Sequence, residues 1–89
     1  MADAKSLASQ VHDLLLAAKP DQDDNNLTKA ARLASQGRPP EGPQRDTYFA
    51  IMKLKIAVAA NAKGVDTQGL LWNAIVTAQK WAAAPGQTQ

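Results

Sequence analysis

The chain reads as an all-α protein: a small four-helix bundle, its second helix short, packed around an apolar third helix. Three observations lead there. Apolar residues recur every three or four positions through four segments, and no segment alternates with period two. Helix-breaking residues fall between those segments: Pro20, the run Gly37 to Asp46 with three prolines and two glycines, and Gly64. The length, 89 residues, suits one domain, and much of the 45% apolar content is alanine. Residues 1–84 are expected to form a single helical domain, with 85–89 ("PGQTQ") as a frayed tail.

The first helix is expected over about Ala2–Lys19. Leu7, Val11, Leu14, Leu15 and Ala18 make one stripe, Asp3 offers a cap and Pro20 a stop. The polar linker "PDQDDNN" follows, and Asn25 or Asn26 caps a short helix that turns Leu27, Ala30, Ala31, Leu33 and Ala34 inward and stops near Gly37. "GRPPEGPQRD" cannot continue a helix and reads as a stiff connector. Asp46 is the expected cap of the third helix, whose apolar side chains form two stripes: Tyr48, Phe49, Met52 and Ile56, and then Ile51, Leu54 and Val58. A helix apolar almost all round is a buried one. Gly64 ends that helix. Asp66 or Thr67 caps the fourth, which runs to about Ala83 with Leu70, Leu71, Ala74, Ile75, Ala78, Trp81 and Ala82 inward. Trp72 and Val76 fall on another side of it.

Composition removes several kinds of function. There is no cysteine, so disulfides, thiolate zinc sites and cysteine nucleophiles are excluded. His12 is the only histidine, and its neighbour Asp13 points about 100° away on a helix, so the pair is no catalytic dyad. Asp21, Asp23 and Asn25 resemble the opening of a calcium loop, but Asn26 stands where the glycine belongs and Arg32 where the bidentate glutamate belongs. Pro40 and Pro43 form a PxxP with Arg38 one residue out of place as a basic anchor. No glycine-rich phosphate loop occurs. The expectation is a protein without enzyme activity, metal or cofactor, and cytoplasmic, since no signal peptide or membrane-length apolar run is visible.

Charge is uneven. Residues 1–37 carry four basic and five acidic side chains, and residues 38–89 carry six basic and three acidic ones. The basic half contains "AANAKGVDTQGLLW", Ala59 to Trp72. Ala60, Gly64, Val65 and Leu70 stand there at the small, turn and anchor positions of a helix-turn-helix, and the stretch resembles that motif. The resemblance implies a DNA-binding regulator using residues 56–75, with Thr67 and Gln68 toward the groove and Lys53, Lys55 and Lys63 toward phosphates. Lys63 and Asn73 depart from it where apolar residues should lock the helices, and the reading helix has no arginine.

The favoured expectation rests on surplus apolar side chains. The core should use most of the third helix's second stripe. Trp72 and Val76, with Ile51 and Leu54 from that stripe, are expected to form a protein interface, for which tryptophan is a favoured anchor. The protein is then a small interaction, adaptor or regulatory protein that acts by covering a partner, either another protein or a second copy of itself in a symmetric homodimer.

Overall fold

In a computed structural model of the chain, residues 6–19, 25–37, 41–60 and 66–84 are described, and they form four helices. Helix α1 spans Leu7–Ala17. Its cap is Ser6, whose hydroxyl accepts from the Ser9 amide at 3.1 Å, so it starts later than the Asp3 cap anticipated. Ala8, Val11, Leu15 and Ala18 are buried, with Leu7 and Leu14 half-buried beside them. Helix α2 spans Asn25–Ala34 and buries Leu27, Ala30, Ala31 and Ala34. Gly37 follows at φ 77°, a left-handed conformation that favours glycine.

Helix α3 spans Pro43–Ala59 and begins three residues before the anticipated cap. Pro43 opens the helix, where its missing N–H costs nothing, and Gly42 supplies the positive φ of 150° that precedes it. Asp46 therefore lies inside the first turn, where its negative charge faces the positive end of the helix dipole. The two ends across the connector are tied by a side chain. Gln44 Nε2 donates to the Ala34 carbonyl at 3.1 Å and to the Gln36 carbonyl at 2.9 Å, satisfying acceptors that the end of α2 leaves open. Helix α4 spans Thr67–Ala83, and the Asp66 carboxylate caps it by accepting from the Gly69 amide at 2.8 Å.

Each helix packs chiefly against two others, in the ring α1–α2–α3–α4–α1. The core between them holds Trp81, Leu15, Ile51, Leu54 and Val11, with alanines where the helices approach closely. Helix α3 is one wall of this ring. It buries Thr47, Ala50, Ile51 and Leu54, and the Thr47 hydroxyl is satisfied by donating to the Pro43 carbonyl at 2.7 Å. Its opposite side is open: Ile56 is 63% exposed and Phe49 52%. The anticipated burial of α3 all round is corrected accordingly. Ile51 and Leu54 of its second stripe enter the core, Tyr48, Met52 and Val58 pack half-buried against it, and Phe49 and Ile56 are left on the surface.

Candidate functional site

The largest exposed apolar side chain is Trp72, 65% accessible on α4. The core face of that helix is complete without it, built from Leu71, Ala74, Ile75, Ala78 and Trp81. Val76, one turn further on, is half-buried. Ile51 and Leu54, the other two expected interface residues, are fully buried. They hold α3 to the bundle and present nothing to a partner, so they leave the candidate surface.

Two further exposed features were not anticipated from the apolar pattern. One is Leu16 on α1, 58% exposed. It directly follows the core residue Leu15, so a 100° turn carries it off the buried stripe. The other is a cleft of about 290 Å³ between α3 and α4, with Asp46, Phe49 and Lys53 on one side and Asn73, Thr77 and Lys80 on the other. Thr77 spends its hydroxyl on its own helix, donating to the Asn73 carbonyl at 2.7 Å.

Residues from the first half of α3 and the second half of α4 line the cleft together. The lining separates the two flanks of α4. Asn73, Thr77 and Lys80 face α3, whereas Trp72 stands on the other flank, toward α1.

Lys53 is exposed in the cleft, while Gln68, also exposed, lies four residues before Trp72 and shares its flank. Thr67 and Lys55 are half-buried. Lys63, with Gly64 and Val65 of the turn, lies outside the described residues, as do Asp3, the "PDQDD" linker, Arg38, Pro40 and the segment 85–89.

Among the described residues, no group of three or more His, Cys, Asp or Glu side chains is placed to hold a metal ion. His12 is half-buried on α1. Among the described residues, no helix is long and apolar enough to cross a membrane. No protein family, curated protein or solved structure compared with the chain matches it.

Proposed function

We propose that the chain is a non-enzymatic helical interaction module, and that it works by covering a protein surface with the face of the bundle centred on Trp72. A second copy of the same chain is the simplest occupant of that face. The observation supporting this is the tryptophan itself. A large apolar ring stands in solvent on a regular helix whose core is already closed, and burying it against a partner would recover hydrophobic free energy that the folded monomer forgoes.

Neighbours extend the face. Val76 continues it one turn along α4. Helix α1 is the neighbour on the Trp72 flank. Helical spacing in an antiparallel ring carries Leu16 to the α4-facing flank of α1, near its C-terminal end, level with the early turns of α4. Trp72, Val76 and Leu16 then form one apolar patch, which a two-fold axis would pair with its own copy.

The test is the variant Trp72→Glu, compared with the unmodified chain by light scattering and circular dichroism. The expected result is loss of self-association or partner binding with helicity retained. Global unfolding of the variant would place Trp72 in the core and overturn the proposal. A mobility-shift assay on mixed-sequence DNA at low salt separates the other reading: a complex that dissolves steeply with added salt would favour a DNA-binding role, and no complex would retire it.

A further inference from the structure

The α3/α4 cleft has a composition of its own. Arg45, Phe49 and Lys53 stand four residues apart, so they form a single row along the outer side of α3: cation, aromatic ring, cation. Ile56 continues the apolar part of that row two turns beyond Phe49. The ring of Phe49 is held in place. The Arg45 guanidinium sits over it at 5.3 Å from the centroid, and the Tyr48 ring packs against it at 5.7 Å, tilted by 53°. Across the cleft, Lys80 supplies a third cation, and Asp46 is the one carboxylate in the lining. Arg45 over the Phe49 ring, with Lys53 and Lys80 in the cleft lining, make three of the six cations of the stretch 38–89.

We propose that this cleft is a docking groove for an amphipathic helix with acidic flanks, donated by a partner protein. The occupant follows from charge and shape. A volume of about 290 Å³ takes one or two apolar side chains rather than a whole helix, so the partner lies along the groove and inserts its apolar stripe beside Phe49 and Ala50. Carboxylates on either side of that stripe then meet Arg45 and Lys53 on one lip and Lys80 on the other. Asp46 repels them at its end of α3, so the acidic residues settle toward Lys53. Trp72 itself is not part of the groove lining, although Lys80 follows Val76 by one turn, so the groove and the Trp72 face adjoin along α4.

The test uses a synthetic 18-residue amphipathic helix with a leucine stripe and glutamate flanks, titrated into isotope-labelled protein and followed by amide chemical shifts. Shifts are expected to concentrate on residues 45–56 and 73–80. The double variant Lys53→Glu/Lys80→Glu should weaken binding at least tenfold while keeping its helical spectrum. The same peptide with lysine flanks should ignore the unmodified protein and bind the double variant. Phe49→Ala should weaken the glutamate peptide without disturbing the charge preference. The proposal is overturned if no shifts appear at millimolar peptide, if the charge exchange fails to restore binding, or if the shifts map around Trp72. It is equally overturned if a DNA duplex produces the cleft shifts at lower concentration than the peptide. Trp72→Glu should leave the peptide titration unchanged, so failure here and failure of the Trp72 proposal are separate results.

Discussion

At the scale of single residues, the two stripes of α3 part company, and stability measurements can read the difference. Ile56 and Leu54 are aliphatic residues of similar size on the same helix, but Leu54 is fully buried and Ile56 is 63% exposed. Leu54→Ala removes packed core and should cost about 2–5 kcal/mol. Ile56→Ala trims a surface side chain and should cost under about 0.5 kcal/mol. Urea midpoints of the two variants check this, and comparable costs would mean that Ile56 is covered in solution by a partner chain. Sequence periodicity identified both stripes, but it could not rank them. Ranking depends on which side of α3 its neighbours occupy, and that is a property of the ring rather than of the helix. The two tryptophans were separable, because Trp81 keeps the spacing of Leu71, Ala74, Ile75 and Ala78 and is buried, whereas Trp72 breaks that spacing and is exposed.

At the scale of elements, all four helices were legible, and their ends were less so. The apolar repeat of α2 and α4 and the Asp66 cap are local signals, and each appears where it was expected. Helix α3 starts early because a proline that ends one helix is equally suited to open the next, and only the backbone of Gly42 decides between these roles. The role of Gln44 was invisible for another reason. Its partners, the Ala34 and Gln36 carbonyls, lie across a turn whose path the sequence does not reveal. Gln44→Ala removes both bonds from the end of α2 at once. Gln36 is exposed and its carbonyl can turn to water, whereas Ala34 is fully buried, so the expected cost is about 1–3 kcal/mol in all. Hydrogen exchange should quicken at the C-terminal turn of α2 more than elsewhere. Uniform protection across α2 in that variant would show that the connector holds its shape without the glutamine.

At the scale of the whole molecule, a four-helix ring built largely on alanine buries limited apolar area per residue, so an external contact weighs heavily in its balance. The cleft and the Trp72 face make different demands on that balance. A cleft partner is present only when added, whereas self-association draws on the protein's own concentration. If two copies pair through Trp72, Val76 and Leu16, folding and pairing are linked, and raising the protein concentration stabilises the native state by mass action. A hundredfold increase above the dissociation constant should contribute about 1.4 kcal/mol per chain, which for a domain of this size is a shift of several degrees in Tm. The shift should vanish in Trp72→Glu and survive in Lys53→Glu/Lys80→Glu, since Lys53 on α3 and Lys80 on α4 line the cleft and Trp72 does not. Calorimetric scans over two decades of concentration decide the matter. A Tm independent of concentration in the unmodified chain would exclude the homodimer. The Trp72 face would then be reserved for a different protein, while the acidic-helix groove would stand or fall by its own titration.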